Sequence, residues 1–392
     1  MPLSPRARRW LLTLSVFALL LAIGGWWVNR QLEPNRLTAT VLKKAGESLQ
    51  LELRFEGQPE YALKPEPRLL IPNFSVRAAD GKVFLFAKRA EISLPWSTIT
   101  GDAPVITRIE LNQPVLDLPG LRRWLATRPK KPFELPTLSK GMQITGGTVT
   151  DDGYAITKLA LELPRLKTGE PANVAAKGTF TQDKTVVDFK LDLGTTTPGL
   201  ESDFTLQTSG ELQQSPALVG AASAATAAQT TTKFELQAAG HYASNDSAFS
   251  VDARALKLDG ASPLPNLSGK GKLTLAEQMQ WDFDGVLLNW PKAWPALPQP
   301  LAANTENLPV RLSYLGKSDL SNPLSLIVTR EPTVLQASVR IKDLRQWMAA
   351  PNGSPLPPID GTLRTPSLVF DGIELQGVEI EVSDGQAPDA QP

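Results

Sequence analysis

Cysteine is absent from the 392-residue chain, and histidine occurs once, at His241. The first absence excludes disulfides, thiolate nucleophiles and thiolate metal ligands; it is compatible with an oxidising compartment without requiring one. The second excludes a histidine-rich metal site. Net charge is missing too, since 40 basic and 40 acidic side chains cancel. A balanced surface gives no electrostatic basis for nucleic acid, whose phosphates need a net basic partner. Aromatic residues make up only 7% and there are 34 prolines, which argues against a helical bundle. The sequence holds no G-x-S-x-G elbow, P-loop, H-E-x-x-H pair or dinucleotide fingerprint. It reads as a non-enzyme with no cofactor, no metal site and no nucleic-acid partner.

What the chain has in quantity is period-two alternation. Leu69 to Val76 runs into the turn signal Ala79-Asp80-Gly81, and the chain returns as Lys82 to Leu94. In that return Phe84, Phe86, Ala90, Ile92 and Leu94 fall on one face, with Lys88 the exception. A third run sets Val105, Ile109 and Leu111 against Arg108, Glu110 and Asn112. Such alternation predicts strands with one apolar and one wet face, here an antiparallel meander. The pattern recurs in kind. Gly146-Gly147 and Asp152-Gly153 read as turns, and Leu159, Leu161 and Leu163 share a face beyond them. Val187, Phe189, Leu191 and Leu193 oppose Asp188, Lys190 and Asp192; Phe204 and Leu206 oppose Asp203, Thr205 and Gln207. Further strands are expected through Phe234, Val251, Leu273, Trp281, Leu312, Leu326 and Val339, with a last pair over Gly361 to Val382. About fifteen strands at about 4.8 Å would extend roughly 70 Å, which is short for linking two membranes unaided.

Other stretches break the alternation. Arg36 to Ala45 suits one short amphipathic helix, and Leu118 to Thr127 another, with Leu121, Trp124 and Leu125 at helical spacing. Arg122 and Arg123 on the second helix are either solvated or placed to touch lipid phosphates. Residues 213–232 are Ala- and Thr-rich without large apolar anchors, which gives a flexible loop or a short Ala-rich helix. Trp290 to Pro300 is too proline-rich for a central strand, and Trp290 and Trp294 suit a cap over the sheet. Leu344 to Ala350 suits a helical turn, and residues 383–392 a disordered tail.

The N-terminus carries the one long hydrophobic run. Residues 1–9 hold Arg6, Arg8 and Arg9, and Trp10 to Val28 follows as WLLTLSVFALLLAIGGWWV. At about 1.5 Å per residue this run reaches roughly 28 Å, close to the hydrocarbon thickness of a bilayer. Leu19, Leu20 and Leu21 occupy its middle, while Trp10, Trp26 and Trp27 sit where interfacial aromatics belong. The arginines place the N-terminus in the cytoplasm. The competing reading is a signal peptide cleaved after the small residues of Ala22-Ile23-Gly24. On either reading the chain beyond Asn29 lies outside the cytoplasm.

Several of these features occur together in a known family. Leu63-Lys64-Pro65-Glu66-Pro67-Arg68-Leu69, the Asp80-Gly81 turn, Ala90-Glu91-Ile92-Ser93-Leu94, and Ile109 to Leu118 (IELNQPVLDL) follow an N-terminal anchor in order. From about Trp10 to Phe180 the chain resembles the AsmA family of bacterial envelope proteins, with a weaker echo at Ile359 to Val382. The motifs are degenerate, and this chain is shorter than many members. The resemblance implies residues 29–212 as an AsmA-like periplasmic β region and 233–382 as its continuation. It also implies a single-pass inner-membrane anchor at 10–28, and a curled antiparallel sheet whose apolar trough carries phospholipid acyl chains in bridge-type lipid transfer. Phospholipid and the inner membrane are then the partners, with other envelope proteins or self-association helping to span the periplasm and build the outer membrane.

One-faced strands must cover their apolar side, and helices able to do so are scarce in this sequence. The sheet can pack on a second sheet, close into a barrel, or curl around something apolar. On the trough reading, the lining is Phe84, Phe86, Ile92, Leu94, Ile109, Leu111, Leu159, Leu161, Leu163, Val187, Phe189, Leu191, Phe204 and Leu206. Glu91, Glu110, Glu162, Asp188 and Lys190 should then face water. On the alternative reading the interior is a dry β-sandwich, and the chain is a scaffold or regulator of envelope or secretion-system assembly that pairs a sheet edge with a partner strand. Asp282 and Asp284, spaced like a glycosidase pair, fall on the wet face of one strand opposite Trp281 and Phe283. His241, placed between turn signals, has no partner in sequence that would make it a general base.

Overall fold

The computed structural model describes most of residues 42–383; residues 1–41, 96–105, 128–136, 215–229, 350–357 and 384–392, with scattered positions between, lie outside the described residues. The membrane run at 10–28, most of the 213–232 stretch and nearly all of the tail fall outside them. Among the described residues no helix is long and apolar enough to cross a membrane.

The fold is mostly β, one sheet of nineteen strands that is not closed, with few helices. Its first strands are β1 (Glu52–Arg54), β2 (Glu60–Ala62), β3 (Arg68–Arg77), β4 (Val83–Ser93), β5 (Arg108–Asp117) and β6 (Met142–Asp151). Then come β7 (Tyr154–Leu163), β8 (Ala172–Gln182), β9 (Thr185–Thr195), β10 (Glu201–Gln214), β11 (Thr230–Ser244), β12 (Phe249–Gly260) and β13 (Asn266–Leu275). The last are β14 (Met279–Asn289), β15 (Glu306–Gly316), β16 (Leu324–Arg330), β17 (Thr333–Val339), β18 (Ile359–Phe370) and β19 (Ile373–Val382). Helix α1 spans Leu118–Thr127, as its sequence spacing predicts, and α2 spans Ile341–Ala349, starting three residues before the expected turn. The contacts divide the chain into two compact units, residues 1–129 with 144–151 and residues 130–143 with 152–392.

In the first unit β3 pairs with β4 and β4 with β5, and the short β1 and β2 both pair along the other side of β3. The expected hairpin forms at Asp80-Gly81: Gly81 takes φ +77° and donates to the Ala78 carbonyl at 2.9 Å. The core is Leu42, Leu69, Ile71 and Ala90, with Leu53, Phe55, Phe74, Ile92 and Leu111 packed around it. Helix α1 is capped by Asp117, whose Oδ2 accepts from the Gly120 N–H at 3.0 Å. It lays Trp124 over Phe84, with ring centroids 5.7 Å apart. Gly120 permits that approach, since a Cβ there would sit 2.7 Å from the Phe84 Cβ. Arg122 is bonded to Asp151 and Arg123 faces Asp117 at 3.7 Å, and both arginines are exposed.

Three expectations fail in this unit. Strand β4 does not alternate strictly: Lys88 and Arg89 are both exposed while Ala87 and Ala90 are buried. Opposite that step Asn73 takes φ +44° and is unpaired, although the register on either side of it is unchanged, and Phe86 is 37% exposed. Glu91 does not face water; it is 4% exposed and bonded to Arg68 at 2.7 Å, on a face where Ser93 and Thr107 are also buried. Gly146-Gly147 is not a turn but lies inside β6, where Gly146 at φ +66° lets the strand continue.

In the second unit β7 to β19 follow one another as antiparallel neighbours. Residues 138–141 bridge onto the chain after β7, and Gly141 at φ +73° has the Leu163 carbonyl oxygen 1.7 Å from where a Cβ would stand. Gly141→Ala is therefore expected to cost at least about 3 kcal/mol, from left-handed strain plus a backbone clash. Gly153→Ala, also at positive φ but with nothing within 4 Å, should cost only about 1 kcal/mol. Denaturant unfolding that finds the two equal would contradict this geometry.

Candidate functional site: an apolar face carried across the strands

The register of the second unit places apolar residues side by side. One row runs Val174, Leu193, Leu206, Ala238, Leu256, Gly269, Gly285, Val310, Val328, Leu335, Leu363 and Ile380, each directly opposite the next from β8 to β19. The row beside it begins Leu161, Ala176, Leu191, Thr208, Leu236, Leu258, Leu267, Leu287 and Leu308. Cross-strand pairs share a face, so these rows make one surface. The opposite face carries the charges, with Lys177 opposite Lys190 and Glu235 opposite Asp259.

Bulges keep the rows in phase. Strand β12 is apolar at Val251 and Ala253, then at Leu256 and Leu258, which is a change from odd to even positions. The register shifts there, with Arg254 and Ala255 both exposed, so both apolar sets reach the same face. Lys158 at φ +53° does the same in β7, between Ile156 and Leu159. Aromatic rings cover the glycines on this face: Phe234 lies over Gly210, where a Cβ would meet its ring at 2.8 Å, and Phe283 over Gly285 at 2.6 Å.

Cover differs along the face. From β8 to β12 every member of the two rows is half-buried, while Ala172, Phe204, Leu212 and Ala253, elsewhere on the same face, are buried. From β14 onward Leu287, Leu308, Val310, Val328 and Leu363 are buried. The cover there comes from the described residues of the connection between β14 and β15. Leu297 and Leu301 join that core, with Trp290 and Trp294 packed against it. The two indoles meet edge to face at 5.2 Å, and the Trp294 Nε1 donates to the Pro263 carbonyl at 3.1 Å. The proline-rich segment is thus a cap, as its composition suggests. Burying Leu297 and Leu301 contributes about 1.5–3 kcal/mol each.

The expected lining residues divide. Leu159, Leu161, Val187, Phe189, Leu191 and Leu206 are half-buried on the apolar face of the second unit, and Leu163 and Phe204 are buried on it at 6% and 8% exposure. Phe84, Phe86, Ile92, Leu94, Ile109 and Leu111 belong to the first unit. There Phe84 is buried beneath Trp124, Ile92 and Leu111 pack on the core, and Leu94 follows the end of β4. Val174, Ala176, Leu236, Leu256 and Leu258 belong to the face and were not anticipated. Of the outward set, Glu162 and Lys190 are exposed, and Glu110 and Asp188 half-buried.

The polar residues singled out in the sequence have neighbours of their own among the described residues. Asp284 lies between Lys270 and Arg311 at 3.9 and 3.6 Å, and Asp282 accepts from Gln280. His241 is not between turns but inside β11, exposed, with its Nδ1 3.2 Å from Asp203. Among the described residues no group of His, Asp or Glu could hold a metal ion. The carboxyls drawn below their usual range are in turns, Glu170 chiefly by a hydrogen bond from Lys167 and Asp319 by one from Ser321. An open recess of about 820 Å³ is lined by charged residues, among them Asp188, which accepts from Thr179 and Gln213, and Glu211, which faces Lys233, together with Phe189 and Phe234. Comparison with family models, curated proteins and solved structures finds no match for this chain.

Proposed function

We propose that this chain binds phospholipid acyl chains on the apolar face of β7 to β12, as an inner-membrane-anchored periplasmic protein of AsmA type that contributes to lipid transport and outer-membrane assembly. The observation that carries the reading is the pair of apolar rows left only partly buried across neighbouring strands. Acyl methylenes cost about 0.8 kcal/mol each in water, so a chain of about sixteen carbons forfeits roughly 12 kcal/mol that such a face can return. Head groups stay in water and no catalytic group is needed. Protein purified with mild detergent should yield phospholipid in stoichiometric amount by mass spectrometry; a stable, lipid-free protein would refute the reading. For the anchor, sequencing of the mature protein should find the N-terminus upstream of Trp10, and a start at Gly25 would show cleavage instead.

A second reading, a scaffold that pairs a sheet edge with a partner strand, is favoured by β19. That strand leaves Ile373 64% and Leu375 44% exposed, and its only paired neighbour among the described residues is β18. Lipid-free protein whose assembly is abolished by Leu375→Pro would support it.

A further inference from the structure

We propose that Trp290, Trp294, Leu297 and Leu301, between β14 and β15, end the acyl-binding face at β12, so that the face holds one chain of limited length and is not an uninterrupted path along the sheet. The inference rests on the lipid-binding reading and goes beyond it. Leu297 and Leu301 pack with Leu308, Val310, Val328 and Leu363, where the two rows that are half-buried from β8 to β12 continue. Leu256 on β12 and Leu267 on β13 are the first row members against this cluster. The Trp294 bond to Pro263, in the turn between β12 and β13, fixes the near end of the connection at that border. An acyl chain lying across the strands therefore has the interval from β7 to β12, about 24 Å at about 4.8 Å per strand. Carbon–carbon bonds of about 1.52 Å at angles near 111° advance about 1.25 Å per methylene, so this interval fits a chain of about nineteen carbons. Longer travel would require Leu297 and Leu301 to leave their places.

The test uses the full chain reconstituted in phospholipid vesicles, with a photoreactive residue in place of Leu193 on the open rows or Leu335 beside the covered ones. Both positions are half-buried and can accept the probe. Lipid adducts are expected at position 193 and reduced at least tenfold at position 335. Leu297→Ser with Leu301→Ser should raise the adduct at 335 to the level at 193. Trp294→Ala, which removes the Pro263 bond from a partly buried position, should raise it in part even if the double variant does not fold. Equal adducts at 193 and 335 in the unaltered chain would overturn the boundary and leave lipid binding standing, as would adducts at 335 that neither variant raises. Absence of adducts at both positions would overturn lipid binding itself, and the boundary with it.

Discussion

Val328→Asp is expected to unfold the covered half of the second unit, whereas Leu206→Asp should melt within a few degrees of the unaltered protein. Both residues stand in the same cross-strand row and both are flanked by apolar neighbours. They differ in cover. Val328 is 0% exposed and belongs to the cluster that contains Leu297 and Leu301, so a carboxylate there has no water. The cation on its strand, Arg330, is held by a bond from one terminal nitrogen to the Glu306 carbonyl at 2.7 Å, and Arg330→Gln in the same protein removes the one charge on that strand that could turn toward the carboxylate. An unpaired buried charge costs about 3–5 kcal/mol, a large share of the stability of an ordinary domain. Leu206 is only partly buried, and an aspartate there can hydrate its carboxylate at a cost of about 1 kcal/mol. Thermal melting of the two variants, followed by circular dichroism, separates an open face from a closed core. Equal collapse would mean that β8 to β12 are covered as well, as a dry sandwich requires.

Alternation made the strands legible because it is local: a residue and its second neighbour share a face whatever the rest of the chain does. Helix α1 was legible for the same reason, from Leu121, Trp124 and Leu125. Position along the sheet was not. Ile156 and Leu159, or Ala253 and Leu256, differ by three residues, which breaks a period of two unless an extra residue is bulged out; only the partner strand decides where that residue goes. Glu91 was misplaced because burial on a second face is set by what lies over it, and Arg68 is 23 residues away in sequence. Strand β2 has three residues, too few for any period to register. The cap between β14 and β15 could be recognised from its prolines and tryptophans, but not which half of the sheet it covers.

Leu161→Asp and Phe189→Asp are expected to remove bound lipid while Glu162→Lys and Lys190→Glu leave it in place. The four positions occupy the same two strands, β7 and β9, and differ in the face they present. Leu161 lies opposite Ala176 in one of the two rows, and Phe189 lies between Gly178 and Gly210 on the same half-buried face. Glu162 and Lys190 are exposed on the other side. A charge on the apolar face keeps its hydration shell, and an acyl chain can pass only by stripping that shell, which costs several kcal/mol for a carboxylate. Losing the contact of even two or three methylenes adds about 2 kcal/mol, so lipid recovered by extraction should fall at least tenfold. The outer substitutions alter only solvated charges, and each should change stability by less than about 0.5 kcal/mol. All four proteins should melt close to the unaltered chain. Undiminished lipid in a well-folded Phe189→Asp protein would take that position off the binding face, and undiminished lipid in both inner variants would dismiss the face altogether.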